Sequence, residues 1–338
     1  MSLLQSQWTR TGVLTLLLLP LAGLFRIVAS LRRQAYLRGV FKRVAVGVPV
    51  IVVGNITAGG SGKTPLVIWL VSWLRAQGYR PGIVSRGYGG SATGCVDVSA
   101  DRAPGEVGDE PWLIRARTGA PVVIGRDRVA AARTLLAHYP GVDVVVADDG
   151  LQHYRLHRDI ELAVVDAATG LGNGWPLPAG PLREPRRRLQ SVDAVIQVER
   201  TAGTQPLIEP RAWRVHYAID RACRLRAPET SCRLRDLPAQ VWLAASGIGR
   251  PQGFFDMLTA QGLNFTARAF PDHHGFRPDD LPADGAVLMT EKDAVKCTAF
   301  AGADWWSVPL DVSPESGFID WLTARLRHAQ GVVGEQHG

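Results

Sequence analysis

Residues 44–64 read VAVGVPVIVVGNITAGGSGKT, and the fold class turns on this stretch. The β-branched run from Val44 to Val53, bounded by Gly54-Asn55, reads as the first strand, with Pro49 confining its regular part to the second half. Thr57-Ala58-Gly59-Gly60-Ser61-Gly62-Lys63-Thr64 ends in the Gly-Lys-Thr of a Walker A loop, and Leu66–Leu74 carries the apolar spacing of a helix. Glycines let backbone N–H groups close around phosphate oxygens, and the helix N-terminus behind them adds partial positive charge. In that geometry Lys63 reaches the β- and γ-phosphates of a nucleotide and the Thr64 hydroxyl meets magnesium. The strict pattern has glycine where this chain has Thr57, and a glycine-rich turn with a fortuitous Lys-Thr is the bland alternative.

A partner for this loop follows in Val142–Gly150, VDVVVADDG, whose apolar run delivers Asp148 and Asp149 to the carboxyl edge of a sheet, where metal or its waters are held. Further strands are expected near Pro81–Val84, Pro121–Ile124, Leu162–Val165 and Ala194–Val198, alternating with helices such as Leu66–Gln77 and Arg128–Ala137. The alternation implies an α/β, P-loop NTPase-like, largely parallel sheet flanked by helices. We divide the chain into an N-terminal membrane-associated helix (1–33), the P-loop core (34–200), a turn-rich connecting segment (201–238), a smaller α/β C-terminal lobe (239–313) and a terminal helix and tail (314–338). The lobe is expected to hold strands near Val241–Ala245, Phe265–Ala269 and Ala286–Met289 and a helix over Gln252–Gln261.

The 338 residues are 46% hydrophobic and 20% charged, a globular composition. Lys and Arg exceed Asp and Glu by 38 to 31, and the whole excess of +7 lies before residue 47, where Arg10, Arg26, Arg32, Arg33, Arg38, Lys42 and Arg43 face no acidic residue. Inside that region Thr11 to Phe25 is uncharged and leucine-rich, follows Trp8, and contains Pro20. As a helix this stretch reaches only ~22 Å, short of the roughly 30 Å hydrocarbon layer. An amphipathic anchor whose basic flank meets anionic lipid is the favoured reading, with a core helix or a cleaved signal peptide as the others. Cys95, Cys223, Cys232 and Cys297 form no CxxC pair or metal spacing, which fits free thiols.

Several remaining segments fit one another: Ser85-Arg86-Gly87-Tyr88-Gly89-Gly90, Gly108-Asp109-Glu110-Pro111, Asp148-Asp149-Gly150-Leu151-Gln152-His153, Pro178 to Pro185 (PAGPLREP), Asp272-His273-His274 and Thr290 to Lys296 (TEKDAVK). Together with GNITAGGSGKTP they make the chain, from about Gln34 to Lys296, resemble the tetraacyldisaccharide 4′-kinases of lipid A biosynthesis. The family also carries threonine at the Thr57 position and a membrane-associated N-terminal helix. The resemblance implies that ATP, with Mg2+, phosphorylates the 4′-hydroxyl of a lipid A disaccharide 1-phosphate at the cytoplasmic face of the bacterial inner membrane, forming lipid IVA. It implies Lys63 as the phosphate-holding catalytic lysine, Asp109 as general base and His273 as its partner. Thr64, Asp148, Asp149 and Glu184 are the implied metal ligands, with Glu110, Gln152 and Arg183 contacting substrate or standing behind them. Membrane lipid and the lipid disaccharide are the implied partners, without nucleic acid or an obligate protein.

Taken alone, Asp109 before Glu110-Pro111 also suits a helix N-cap. Two other function classes remain: a membrane-tethered P-loop ATPase or GTPase acting on a protein, and a nonenzymatic binder of nucleic acid or membrane prompted by charge. Against a GTPase, Thr290-Glu-Lys-Asp293 lacks the Asn of a base-reading NKxD segment.

Overall fold

The computed structural model describes residues 8–99, 101–200 and 206–335. The first seven residues of the expected membrane segment, residues 201–205 of the expected connection and the last three of the tail lie outside it. In chain order the elements are α1 (Val13–Leu37), β1 (Val50–Gly54), α2 (Lys63–Ala76), β2 (Pro81–Ser85), β3 (Val96–Asp97), α3 (Pro104–Val107), α4 (Asp109–Thr118), β4 (Val122–Ile124), α5 (Arg128–His138), β5 (Val144–Asp148), β6 (Ile160–Asp166) and β7 (Ala194–Glu199). There follow β8 (Ala212–Ala218), β9 (Arg221–Arg224), β10 (Ala227–Arg233), β11 (Trp242–Ser246), α6 (Gln252–Ala260), β12 (Phe265–Ala269), β13 (Val287–Thr290), α7 (Glu291–Cys297), β14 (Trp305–Val308), β15 (Asp311–Pro314) and α8 (Ser316–Glu335).

Nine strands form one sheet in the order β15-β8-β7-β6-β1-β5-β2-β4-β3, and six form a second in the order β10-β9-β14-β13-β11-β12. β1 lies centrally between β5 and β6, parallel to both, and all five of its residues are buried. Its alternate side chains point to opposite faces: Ile51 and Val53 join one apolar cluster with Leu66, Leu70 and Leu74 of α2, whereas Val50 and Val52 join another with Val129 and Leu135 of α5. A strand covered on both faces needs apolar residues throughout, which is why its sequence shows no alternation.

Residues 201–238, expected to be turn-rich, contribute β8 to the larger sheet and β9 and β10 to the smaller. In β8 Val215 and Tyr217 are buried while His216 and Ala218 are exposed, so only one face is covered and polar residues interrupt the run. β15 brings the chain back to the larger sheet beside β8, antiparallel. The C-terminal helix α8 packs there too, with Phe318, Leu322 and Leu326 in the same cluster as α2.

The N-terminal helix is longer than its uncharged stretch suggests. α1 continues through Arg26, Arg32 and Arg33 for 25 residues, about 37 Å at the usual helical rise. Pro20 lies inside it. Among its described residues only Thr15 and Ala22 are buried, and Val13, Leu17 and Leu31 are 75%, 72% and 64% exposed. It is held at its ends. Before it, Trp8 Nε1 donates to the Pro178 carbonyl at 3.1 Å; near its finish, Arg33 Nη2 donates to Ser191 Oγ at 2.9 Å, and the Tyr36 ring lies 6.0 Å from that of Tyr154.

Because Phe318 is fully buried between α8 and the larger sheet, Phe318→Ala is expected to lower the unfolding free energy by ~3–5 kcal/mol. Urea denaturation measures it, and a loss below about 1 kcal/mol would mean that α8 is not part of that core.

Candidate active site

The Walker A turn joins β1 to α2 at the carboxyl edge of the larger sheet. Gly62 caps α2 with φ +77°, where a Cβ would lie 2.7 Å from Arg200 Nη2 and 3.1 Å from the Tyr217 ring, so only glycine fits. Tyr217 donates its hydroxyl to the Gly62 carbonyl at 2.6 Å. Arg250, just before α6, donates to the Gly60 carbonyl and pairs with Asp166 at 3.5 Å. Two carbonyls of the loop are thus taken by protein donors, while the N–H groups of Gly59, Gly60, Ser61 and Gly62 have no acceptor among the described residues. Such a row of open amides at a helix N-terminus is an anion cradle.

The strand register sets the Asp148-Asp149 pair beside this loop, because Val53 of β1 pairs with Asp148 of β5. The two carboxylates differ sharply. Burial alone would raise the Asp149 pKa, but Lys63 at 3.4 Å and Arg183 at 3.1 Å outweigh it and hold the group well below the usual carboxylate range. Burial first, and then the charges of Glu110 and Asp149, push Asp148 up to about 6. Ser85 donates to its Oδ2 at 3.0 Å, and its Oδ1 is buried without a partner. Ser61 Oγ, in the loop itself, is likewise buried and unpartnered. These oxygens, with half-buried Thr64 at the start of α2, fit a hard cation whose remaining ligands are phosphate and water.

Asp109 opens α4, and the preceding cap is Gly108, with no side-chain capping bond. Its carboxylate therefore serves something other than the helix end. His273, from the loop after β12, places Nδ1 3.3 Å from Asp109 Oδ2, and Lys296 of α7 places Nζ 3.5 Å from the same oxygen. His273 adopts φ +58° and lies edge-on to the Tyr88 ring, 5.2 Å between centroids. Burial works against ionisation of Asp109, yet His273, Lys296 and Lys292 together bring its pKa below the ordinary value. Glu110 points to Lys292 at 2.9 Å. Burial opposes its ionisation also, but the Lys292 and Lys63 charges outweigh that and lower its pKa, so the carboxylates of α4 and the phosphate-loop lysine share one field.

Of the residues expected from sequence, Thr57 to Thr64, Asp148, Asp149 and Arg183 gather around the loop, and Asp109 meets His273 across the gap between the two sheets. Glu184 stands differently. It is 6% exposed, and its oxygens accept from Gln152 at 2.8 Å and from Tyr154, with Arg188 at 3.4 Å. Gln152 also donates to the Asn55 carbonyl at 3.0 Å, so Gln152 and Glu184 brace the strand end that launches the loop. Sequence reasoning gave no site role to Arg250, Lys292, Lys296 or Arg128. The last is buried at 2% exposure, donates to the Gly125 carbonyl, and has its pKa lowered to about 10 by burial against the pull of Asp148 and Asp149. The lysines did leave a sign, an i, i+4 pair in TEKDAVK that shares one helix face.

Residues 14–327 match the LpxK family, tetraacyldisaccharide-1-P 4′-kinase. A relative from Thiobacillus denitrificans named tetraacyldisaccharide 4′-kinase is 65% identical over 320 residues, 94% of this chain and 97% of its own. One of the same name from Azoarcus sp. is 50% identical over 327 residues, 96% of each chain. The solved structure of LpxK from Aquifex aeolicus in complex with ATP superposes with a TM-score of 0.80 at 27% identity, covering 94% of this chain and all of the other.

A carboxyl whose pKa is raised on folding stabilises the fold below its unfolded value, and that contribution disappears as pH rises through the folded value. For Asp148, raised to about 6, this places the loss between the ordinary aspartate range and neutrality. Without divalent cation, Asp148→Asn should be more stable than the parent by ~3 kcal/mol near about pH 8, a margin that shrinks toward about pH 4. Thermal unfolding across that range measures it; a margin that does not change with pH would remove Asp148 as the titrating group.

Proposed function

We propose, since the chain belongs to the tetraacyldisaccharide-1-P 4′-kinase family, that Lys63, Asp109 and His273 carry transfer of the γ-phosphoryl group of ATP to the 4′-hydroxyl of a tetraacyldisaccharide 1-phosphate. The enzyme is a kinase of lipid A biosynthesis, and the ATPase or GTPase acting on a protein is not favoured. The observation that carries the residue roles is the Asp109–His273 contact at 3.3 Å, made by α4 of one sheet's layer and a loop of the other.

Phosphoryl transfer asks mainly for positioning and for neutralisation of charge on the moving group. The open amides of Gly59 to Gly62 and the Lys63 ammonium hold the phosphates. Asp149 and Asn55 hold Lys63 in turn, at 3.4 Å each. Magnesium, when bound, would neutralise the β- and γ-oxygens; Thr64 and Asp148 are the residues to hold it, while Asp149 is engaged by Lys63 and Arg183 and Glu184 by Gln152, Tyr154 and Arg188. Asp109 accepts the proton of the sugar hydroxyl as it attacks, and His273 keeps the carboxylate oriented and takes part of the developing charge. Arg183, half-buried and donating to Asp149 at 3.1 Å, is the guanidinium available to the phosphates or the acceptor.

The exposed apolar surface of α1, with the basic residues Arg26, Arg32, Arg33, Arg38, Lys42 and Arg43, supports attachment to anionic lipid at the cytoplasmic face of the inner membrane. An acylated disaccharide then reaches the site without leaving the bilayer completely.

Labelled γ-phosphate from ATP should appear on tetraacyldisaccharide 1-phosphate in mixed micelles. Lys63→Ala is expected to reduce this by ~100-fold or more, and Asp109→Ala to reduce kcat by roughly 100- to 10,000-fold with ATP binding retained. An Asp109→Ala chain that simply fails to bind ATP would assign the carboxylate to the nucleotide instead. Leu17→Asp with Leu24→Asp, at positions 72% and 57% exposed, should leave the melting temperature unchanged and release the chain from anionic vesicles in a sedimentation assay. Unchanged sedimentation would take α1 out of membrane attachment.

A further inference from the structure

TEKDAVK is the last residue of β13 and the first six of α7, and its lysines have no part in the roles assigned above. Lys296 is 9% exposed and spans two carboxylates: Nζ lies 3.5 Å from Asp109 Oδ2 and 3.1 Å from Asp293 Oδ1, and it donates to the His274 carbonyl at 3.1 Å. Asp293 is fully buried and rigidly placed, accepting at Oδ2 from the Gly247 amide at 2.9 Å and from the Thr290 hydroxyl at 2.7 Å. The ammonium is therefore fixed by the smaller sheet and presented to the larger one. One helical turn earlier Lys292 meets Glu110 at 2.9 Å and His273 Nε2 at 3.5 Å, so consecutive carboxylates of α4 meet i, i+4 lysines of α7.

The contacts of the Asp109 carboxylate with His273 and Lys296 are one-sided. His273 Nδ1 and Lys296 Nζ both fall on Oδ2. A hydrogen bond and an ion pair on one oxygen fix the rotation of the carboxylate and leave Oδ1 outside both contacts. We infer that Lys296 is a positioning residue for phosphoryl transfer, a buried strut from Asp293 that holds Asp109 by one oxygen so that the other receives the sugar hydroxyl's proton. The inference rests on Asp109 being the base. The charged groups around Asp109 are His273 of the loop after β12, Lys296 and Lys292 of α7 and Glu110 beside it, with Asp272 3.9 Å from His273. Removing Lys296 subtracts a cation from this set and leaves the carboxylate easier to protonate.

A double-mutant cycle in the full-length enzyme, assayed by phosphate transfer in mixed micelles, tests this. Lys296→Gln is expected to lower kcat roughly ten- to a hundredfold while KM for ATP stays within about twofold, and to shift the acid limb of the kcat/KM profile to higher pH. In an Asp109→Asn background the same substitution should cost nothing further. Equal losses in both backgrounds, or an unmoved acid limb, would overturn the role of Lys296 and leave Asp109 as base. Near-normal kcat in Asp109→Asn alone would instead bring down the base assignment, and this role with it. Lys296→Gln strands the buried Asp293, so Lys296→Gln with Asp293→Asn is the folding control. With the parent's melting temperature restored it should keep the kcat loss, whereas recovery of kcat would mean that Lys296 only neutralises Asp293.

Discussion

Four carboxylates, the buried Asp148 and the half-buried Asp109, Glu110 and Asp149, converge where the two sheets face each other, and holding their charge with little water is the constraint on which the site depends. An ionised carboxylate taken out of water must be paired or must take up a proton. Each here has its own settlement. Asp149 has Lys63 and Arg183, Glu110 has Lys292, and Asp109 has His273 and Lys296. Asp148 has a serine hydroxyl and one bare oxygen, and its pKa rises accordingly. The cations come from both sheets' layers, so pairing the charges and bringing the layers together are a single requirement. In the proposed reaction the group most in need of a cation is the one that would meet a metal accompanying ATP.

The N-terminal helix is tied to the same region. Trp8 holds Pro178, Arg33 holds Ser191, and Tyr36 lies against Tyr154, whose hydroxyl donates to Glu184. Glu184 and Gln152 in turn hold the strand end at Asn55 that precedes the phosphate loop. Through this brace the N-terminal helix and the phosphate loop keep a fixed relation to each other, as the proposed attachment of α1 to lipid requires.

Much of this was legible in the chain. The central strands are covered on both faces and so declare themselves as apolar runs, and the Walker A loop must be written in glycines because Gly62 occupies a backbone region closed to side chains. β8 was hidden because an edge-ward strand with one wet face mixes His216 with Val215 and Tyr217. The surroundings of Glu184 were only partly local: Arg188 lies four residues on, but Tyr154 and Gln152 reach it from the connection between β5 and β6.

By itself the sequence determined which chemistry was on hand: phosphate-cradling glycines, a lysine, carboxylates at strand ends, and a greasy basic N-terminus. These are properties of short segments, dictated by backbone conformation and by runs of like residues. Which of those groups work together was decided only in three dimensions. Asp109 and His273 are 164 positions apart, Lys292 and Glu110 182. Charge pairing acts through space across a few ångströms, and only the packing of two sheets puts α7 over α4 and thereby gives Asp109 and Glu110 their lysines.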